Sequence, residues 1–535
     1  MNKSQIVRLS VSITLLLAVL ATSALPPAPA ATGAVAEAAA MSDPNYLPFV
    51  MNTAPAYDWL QFNGDARHLG NNPFESKISP SNVNLLQVHF QVSLPAVADG
   101  TPVYLSNVET PTGLRNLVFA TTRNGDVVAL DASSGATVWT QLSHAASCLI
   151  NNNSSRNEAC YTTSSPAVDP GRMYVYSYGL DGNVHKYMVG NGAEILTGGW
   201  PELASQKVYD EKGSSALSIA TDKAGTSYLY VTNGGYPGDA GNYQGHVTAI
   251  NLADGTQKVF NSLCSNLTVH FVDRRITTSG SDCYPSTQSA IWARPGVIYD
   301  PDTDRIYMVT GNGEFTPGSF LWGETIFALH PDGTGAGNGN PLDSYTPANF
   351  SSLTSSDQDL GSTAPALLPS VSSKYPHLAV QGGKDGQLRI VNLDNLSGQN
   401  QVGKTGGQLF TISVPGGGSI LTQPAVWVNP ADQHVWVFVT SASGLAAMQV
   451  TVDASGNPGL MVGWSNTSSG TSPIVANGVV YYAHNGFILA LNPTTGSVLW
   501  SNSQIGAIHW QSPVVANGMV YIEDQSGKLT AYSLP

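Results

Sequence analysis

Three short polar stretches carry side chains whose types and spacing could do chemistry. Asn312 lies in IWARPGVIYDPDTDRIYMVTGNGEF, twelve residues after Asp300. Asp359 lies in DQDLGSTAPALLP, where Asp357 is the alternative carboxylate, and Lys384 precedes an Asp-Gly turn in LAVQGGKDGQLRIVNLDNLSG. An amide carbonyl suits Ca²⁺, a carboxylate can take a proton, and an ammonium stabilises developing negative charge. Each residue also has a structural explanation: Asn312 could belong to a hairpin turn, Asp359 could be a cap, and Lys384 could be a solvated lysine in a turn.

The elements that must position these residues are repeats, and the last two copies show the pattern. GTSPIVANGVVYYAHNGFILALNPTTGSVLWSNS begins at Gly470, and QSPVVANGMVYIEDQSGKLTAYSLP begins at Gln511. Ser472-Pro473 recurs as Ser512-Pro513, a period of 40 residues. Each copy consists of short apolar runs separated by Asn-Gly, Ser-Gly or Thr-Gly turns, which are typical of hairpins. Four strands in a period of this length indicate a propeller blade.

Blade openings of this kind can be counted along the whole chain. They predict eight blades, which open near Thr101-Pro102, Ser165-Pro166, Ser215-Ala216, Arg294-Pro295, Ala364-Pro365, Gln423-Pro424, Ser472-Pro473 and Ser512-Pro513.

The last blade lacks a fourth strand before Pro535. The segment Gln87–Leu94 alternates like a strand, and we expect it to complete this blade, so that the closed ring has no open sheet edge. The third blade carries an insertion within its hairpin, and Thr316–Gly323 and Gly333–Asp359 are long excursions. Long loops in a compact fold are often functional. We therefore predict an all-β protein with one eight-bladed propeller over residues 57–535.

The repeat resembles that of a known propeller family. A third strand, a Thr-Gly turn and an outer strand ending in Leu-Trp are similar to the repeat of the pyrroloquinoline quinone (PQQ) propellers, and VFATTRNGDVVALDASSGATVW in the first blade is a near copy. That family includes quinoprotein alcohol dehydrogenases and non-enzymatic scaffolds of the cell envelope. The Trp-Asp dipeptide of the WD40 blade does not occur in these copies.

The resemblance implies roles for the three chemical residues, which occur in the order found in the dehydrogenases. Asn312 matches a calcium ligand beneath the quinone, and Asp359 matches the catalytic base, with Asp357 in reserve. Lys384 matches the cation that reaches the quinone oxygens.

The chain also departs from the dehydrogenase pattern. It has no adjacent cysteines to form the vicinal disulfide of that family, and Asp239 is the nearest carboxylate to the position of a second calcium ligand, a Glu in the family. The Trp that supports the quinone would fall near Arg294, and Trp292, two positions away, is its replacement candidate. These departures also suit a propeller that has kept the shape without the redox reaction.

Two functional hypotheses follow from the resemblance. In the first, the protein oxidises an alcohol or polyol with PQQ and Ca²⁺ and passes electrons to an external acceptor, because no CxxCH motif encodes a covalent haem. In the second, it is a non-catalytic scaffold that binds a protein or glycan partner. The chain contains no GxSxG, Walker loop or HExxH pattern, so hydrolase and nucleotide-binding functions have no support.

Two other polar groups have structural explanations. We expect Arg67-His68, with Asn71-Asn72, to pack on the propeller, and the histidine of His509-Trp510 to be a hydrogen-bonded turn residue.

Composition and the N-terminus predict an exported protein. The formal net charge is −14, which argues against binding nucleic acid. Residues 1–40 have the basic start, apolar run and small residues of a secretory signal, and residues 41–56 are expected to be a flexible leader. No other membrane span is predicted, and the location is periplasmic or extracellular. Four cysteines allow three pairings, of which Cys148–Cys160 and Cys264–Cys283 close the shortest loops.

Overall fold

Eight antiparallel sheets of four strands follow one another along the chain, which confirms the eight-bladed propeller. The computed structural model describes residues 57–143, 148–150, 158–239, 241–273 and 282–535; the predicted signal (1–40) and leader (41–56) lie outside the described residues. Within the described ranges, helix is confined to Phe350–Ser355 and the 3₁₀ turns Val83–Leu85, Pro317–Ser319 and Leu360–Ser362.

The strands of blades one to four lie where the openings predict them. In chain order they are Val103–Thr110, Gly113–Thr121, Val127–Asp131 and Thr137–Gln141 in blade one; Ala167–Val168, Tyr174–Tyr178, Asn183–Met188 and Glu202–Leu203 in blade two; Ser218–Thr221, Ser227–Gly235, His246–Asn251 and Gln257–Asn261 in blade three; and Ile298–Asp300, Arg305–Val309, Ile326–Leu329 and Asp343–Tyr345 in blade four.

Blades five to eight are equally regular. Their strands are Ala366–Leu368, Leu378–Gln381, Gln387–Asn392 and Phe410–Ser413 in blade five; Ala425–Val428, Val435–Ser441, Gly444–Val452 and Pro458–Ser465 in blade six; Ile474–Ala476, Val479–His484, Phe487–Leu491 and Val498–Asn502 in blade seven; and Val514–Ala516, Met519–Glu523, Lys528–Ser533 and Gln87–Ser93 in blade eight.

The N-terminal strand closes the ring as predicted. Gln87–Ser93 pairs antiparallel with Lys528–Ser533, with Phe90 opposite Ala531. The strand ends one residue before the predicted Leu94, whose N–H still donates to the carbonyl oxygen of Gly527 at 2.8 Å. The outer edge of the last blade is therefore covered by a strand of the same chain.

In blades one, six and seven, a tryptophan of the fourth strand bonds to the chain segment that follows next around the ring. The indole N–H of Trp139 donates to the Val189 carbonyl of blade two, that of Trp464 to Pro493 of blade seven, and that of Trp500 to Leu86, at 2.8, 2.8 and 2.9 Å. Each ring thus buries apolar area between two sheets and also satisfies its polar group. This explains why the Leu-Trp signal recurs.

The glycine of the repeated turn is required by the same tryptophan. A Cβ added at Gly192 would lie 2.6 Å from the ring of Trp139, and one at Gly496 would lie 2.5 Å from the ring of Trp464. Both glycines also have φ of +71°, a left-handed conformation that favours glycine. Turn and tryptophan are therefore one packing unit shared by neighbouring blades.

The insertions form ordered structure. Phe315–Thr316 and Leu321–Trp322 form a two-stranded hairpin, and Glu211–Gly213 adds a strand to blade three. The predicted excursion from Gly333 to Asp359 contains the fourth strand of blade four and the short helix. Both predicted disulfides, Cys148–Cys160 and Cys264–Cys283, are formed.

Residues 57–72, here called the sealing segment, bond to the inner strands of seven blades. The described contacts are backbone or side-chain hydrogen bonds to Tyr104, Val168, Ile219, Tyr299, Val426, Val475 and Val515. Within this segment His68 is buried and bonds Phe62 O and Ser218 Oγ at 2.5 and 3.0 Å, so it packs as expected. No helix among the described residues is long and apolar enough to cross a membrane.

Candidate functional site

The candidate residues lie on the face of the ring opposite the sealing segment. In an antiparallel blade, the connection into the first strand and the hairpin between the second and third strands lie on the same face. Trp292 and Asp359 are in connections that lead into blades four and five, whereas Asn312 and Lys384 follow the second strands of those blades. Asp239 belongs to the hairpin insertion of blade three. The fold therefore brings together five side chains that are distant in sequence.

All five predicted site residues line one cavity of about 290 Å³. Asp239, Trp292, Asn312, Asp359 and Lys384 border it, together with the reserve carboxylate Asp357. The cavity is near the low end of the ~300–1,000 Å³ that small-molecule sites usually occupy.

An ion pair joins the buried Asp359 to the half-buried Lys384. Lys384 Nζ lies 2.6 Å from Asp359 Oδ2 and 2.9 Å from Asp357 Oδ1. Burial raises the pKa of Asp359, and Lys384 offsets this only in part. Burial alone would lower the pKa of Lys384, but Asp359 raises it above its usual value. Asp359 is therefore a carboxylate that takes up a proton more readily than an exposed aspartate does.

Asn312 fixes the other oxygen of this carboxylate and leaves its own carbonyl free. Its backbone N–H donates to Asp359 Oδ1 at 2.6 Å, and its side-chain amide nitrogen lies 2.8 Å from Asp357 Oδ1 and 3.4 Å from Asp239 Oδ2. The amide oxygen is buried without a hydrogen-bond partner. Among the described residues, no three His, Cys, Asp or Glu side chains are grouped as a metal centre.

Gly311 is the residue that lets this carboxylate lie against the backbone. A Cβ at Gly311 would lie 2.4 Å from Asp359 Oδ1 and 3.2 Å from the indole nitrogen of Trp292. Any side chain at this position would therefore displace Asp359. The glycine of the Thr-Gly-Asn-Gly stretch has a local packing reason beyond forming a turn.

Aromatic rings form one wall of the cavity. Lys384 Nζ lies 5.3 Å from the centre of the Trp292 ring, whose edge meets Trp510 with 6.1 Å between ring centres. The guanidinium of Arg294 lies 5.4 Å from the centre of the Trp510 ring. A planar ligand could stack on an indole ring and on this guanidinium group.

Two buried cations that also line this cavity, Arg294 and Lys212, were not predicted as site residues. Arg294 donates to the carbonyl oxygens of Ser214 and Thr163 at 2.8 Å each, and its Nε is buried without a partner. Lys212 Nζ lies 3.2 Å from Thr163 Oγ1. Burial, with help from Arg294, lowers the pKa of Lys212 to about 7. These cations provide positive potential for an anionic ligand.

One sequence signal could have identified Arg294. It occupies the blade-opening position at which the other seven blades have Thr, Ser, Ala or Gln. A charged residue at such a position lies on the inner rim of the ring. Lys212 has no comparable signal, because its strand is an addition to the repeat.

A carboxylate–imidazole pair lies beside this cavity. Both oxygens of the buried Asp99 lie within 3.0 Å of His509 Nδ1, and Gln525 donates to Asp99 Oδ1 at 2.8 Å. His509 is therefore a hydrogen-bonded residue, as expected, although it is half exposed at the rim of the cavity.

Comparisons with known proteins agree with this fold. The family model of the glucose/ethanol/alcohol dehydrogenase β-propeller domain matches residues 59–194, and that of the outer membrane protein assembly factor BamB matches residues 428–534. The chain is an eight-bladed β-propeller, and these two parts of it match models of PQQ-type propeller repeats. Comparison with curated protein sequences finds no match.

Solved structures of quinoproteins are similar in shape. A europium-containing methanol dehydrogenase has a TM-score of 0.61 and 14% identity, over 89% of this chain and 98% of the other. The quinohemoprotein alcohol dehydrogenase of Pseudomonas putida gives 0.60 and 14%, over 89% and 80%, and that of Comamonas testosteroni gives 0.58 and 14%, over 91% and 82%. At this identity the likeness establishes the fold alone.

Proposed function

We propose that the protein is a quinone-dependent dehydrogenase that oxidises an alcohol or polyol. The observation that carries the proposal is the ion pair of Asp359 and Lys384 in a cavity that also presents an unpaired amide carbonyl, an indole wall and two buried cations. One site therefore contains a carboxylate that can accept a proton, an ammonium group that can stabilise negative charge on an oxygen, and space for a flat anion. The proposal gives each of these features a use.

The residues present fit the cofactor and the cation that the fold family implies. The unpaired oxygen of Asn312, with the carboxylates of Asp239 and Asp357, is an oxygen donor set of the kind that Ca²⁺ or a lanthanide prefers. Arg294 and Lys212 suit the carboxylates of PQQ, and Trp292 suits its ring. When bound, the quinone would accept the two electrons released by the alcohol.

Asp359 would take the proton of the substrate hydroxyl. Its Oδ1 is held by the backbone of Asn312, and its Oδ2 is held by Lys384 in the ligand-free protein. A ligand oxygen that attracts Lys384 would release Oδ2 to act as the base. The ammonium of Lys384 would then stabilise negative charge on that oxygen, and its high pKa keeps it protonated.

The two disulfides support a location outside the cytosol, where thiols are oxidised. Together with the signal-like N-terminus, they favour export. Electrons would then pass to an external acceptor, because the sequence has no CxxCH motif.

A second candidate function is a non-catalytic scaffold for a protein or glycan partner. The match of residues 428–534 to the BamB family model favours it. A scaffold does not need the cavity or its buried charges, so quinone binding separates the two candidates.

The test is an absorbance titration of the mature protein with PQQ, alone and with Ca²⁺ or Eu³⁺, followed by alcohol oxidation with a dye acceptor. We expect cation-dependent, stoichiometric uptake. Asp359→Asn should retain uptake and lose turnover by roughly 10²–10⁴-fold, the usual contribution of a general base. Asp394→Asn, an exposed aspartate of the same blade, is the matched control. No uptake under any condition would refute the dehydrogenase, and full turnover by Asp359→Asn would refute its mechanism.

A further inference from the structure

We infer that the substrate is an extended, uncharged polyhydroxyl molecule that occupies two adjoining cavities, and that His509 binds it where they meet. The inference rests on the proposed function only for the reacting end of the substrate. The remote part of the site is argued from a second cavity that the function has not used.

The second cavity lies on the same face of the ring, in front of blades six to eight. It measures about 230 Å³ and is bordered by connections that lead into these blades and by hairpins between their second and third strands. His509 lines both this cavity and the one that holds Asp359. The side chain of His509 therefore borders both spaces.

The second cavity is lined by neutral polar groups and by apolar side chains such as Leu421 and Ile508, and it carries no carboxylate, ammonium or guanidinium group. The hydroxyls of Ser419 and Ser469 and the amide of Asn485 make no hydrogen bond to another side chain or backbone group in the described parts of the chain, and all three are at least partly accessible. Neutral donors and acceptors of this kind suit the hydroxyl groups of a polyol or sugar. An ionic ligand would leave its charge unpaired here.

Two imidazoles present hydrogen-bond acceptors to the same space. His484 Nδ1 lies 2.5 Å from the backbone oxygen of Ser469, and His509 Nδ1 lies 2.8 Å from Asp99 Oδ2. A carbonyl or carboxylate oxygen only accepts, so each Nδ1 carries the hydrogen. In the neutral ring, each Nε2 is then an acceptor, ready for a hydroxyl group.

The carboxylate of Asp99 makes His509 a fixed binding group. Asp99 is 1% exposed, and Gln525 and His509 both donate to it. The ring of His509 also lies against Trp510, with 4.5 Å between ring centres, and Trp510 borders the Asp359 cavity. The imidazole is therefore held in orientation between the reacting end of the site and its remote end.

The size of the two spaces sets the class of substrate. Each cavity alone is below the ~300–1,000 Å³ usual for ligand sites. A short alcohol would fill only the first cavity. A sugar alcohol of six carbons or more, or a disaccharide alcohol, would have its reacting hydroxyl at Asp359 and its other hydroxyls beyond His509.

Calorimetric titration of the full chain with maltitol, and separately with ethanol, tests the inference without requiring turnover. We expect maltitol to bind, and the double variant Ser419→Ala/Ser469→Ala and the single variant His509→Ala each to bind it roughly tenfold more weakly, since losing a net hydrogen bond changes affinity by up to about that factor. Ser455→Ala, an exposed serine on a loop of blade six, is the matched control and should bind like the wild type. The two serines are accessible, so the double variant tests the site even if His509→Ala fails to fold.

The outcomes separate this inference from the dehydrogenase proposal. If PQQ is taken up, the KM for maltitol should rise in these variants more than the KM for ethanol. If PQQ is not taken up but maltitol binding is lost in the variants, the polyol site is supported and only the dehydrogenase is refuted. No maltitol binding by the wild type, equal binding by all variants, or binding of Zn²⁺ in place of maltitol would overturn the inference.

Discussion

Lys212 provides a quantitative test of the cationic wall. Its ammonium is buried and has one described hydrogen bond, to Thr163 Oγ1. Its pKa of about 7 in the folded protein compares with a usual value of 10.5. The substitution Lys212→Met keeps the length and apolar stem of the side chain but removes the charge.

The sign of the pH effect follows from proton counting. Between pH 7 and pH 10.5 the unfolded chain holds a proton on Lys212 that the folded protein has lost. The free energy of unfolding therefore rises with pH in this window, by ~1.4 kcal/mol per unit. From pH 7.5 to pH 9.5 the contribution of Lys212 is about 2–3 kcal/mol, and Lys212→Met abolishes it.

The assay is denaturant unfolding of wild type and variant at both pH values. We expect the free energy of unfolding of the variant relative to that of the wild type to fall by about 2–3 kcal/mol from pH 7.5 to pH 9.5. The exposed Lys258→Met is the control and should show no such change. Lys212→Met should also weaken PQQ uptake, and uptake by the wild type should strengthen as pH falls through 7. A difference between Lys212→Met and wild type that is independent of pH would refute the reasoning.

Three further perturbations test the packing. Gly311→Ala should lower the free energy of unfolding by about 1–3 kcal/mol and reduce turnover by roughly 10²-fold, because the new Cβ displaces the carboxylate of Asp359. Gly318→Ala is the control, because a Cβ at Gly318 meets open space. Equal turnover by the two variants would contradict this prediction. Cys264→Ser should lower the free energy of unfolding by about 3 kcal/mol, because it opens a loop of 19 residues; an unchanged denaturation midpoint would argue against that bond. Gln61→Ala should lower the free energy of unfolding by about 2–3 kcal/mol, because it leaves the backbone N–H and carbonyl of Ile219 without hydrogen-bond partners. Substitution of the exposed Gln399 by Ala is the control and should lower it far less. Similar losses in the two variants would mean that the sealing segment contributes little to stability.

The blades were predictable from sequence because their signals are local. Asn477-Gly478 turns the chain with φ of +43° and +72° at its two residues, as a two-residue hairpin loop requires. Trp139 and Trp464 recur with Gly192 and Gly496 because these neighbouring blades use the same contact. Even the ring closure could be inferred, since the last blade lacked a strand and Gln87–Ser93 alternates.

The candidate site was predictable only in part. Asn312, Asp359 and Lys384 were grouped because each matches a motif of the dehydrogenases that the repeat resembles, in the same order along the chain. Arg294 and Lys212 reach this cavity through contacts with Thr163 of another blade, and only Arg294 has a local sequence signal. The partners Asp99 and His509 are 410 residues apart, and only the closed ring makes them neighbours. The roles of the grouped residues remain predictions.

The sealing segment has a consequence for how the protein comes apart. Its sixteen residues are translated before all their partners, which extend from Tyr104 to Val515, so they can be ordered only after the inner strands are in place. If a protease or a thermal fluctuation opens one blade, that blade is still connected to the others through its hydrogen bonds to this segment. Loss of structure then requires many contacts to be released together. We therefore expect the protein to resist denaturation and proteolysis through slow unfolding as much as through a large free energy of unfolding.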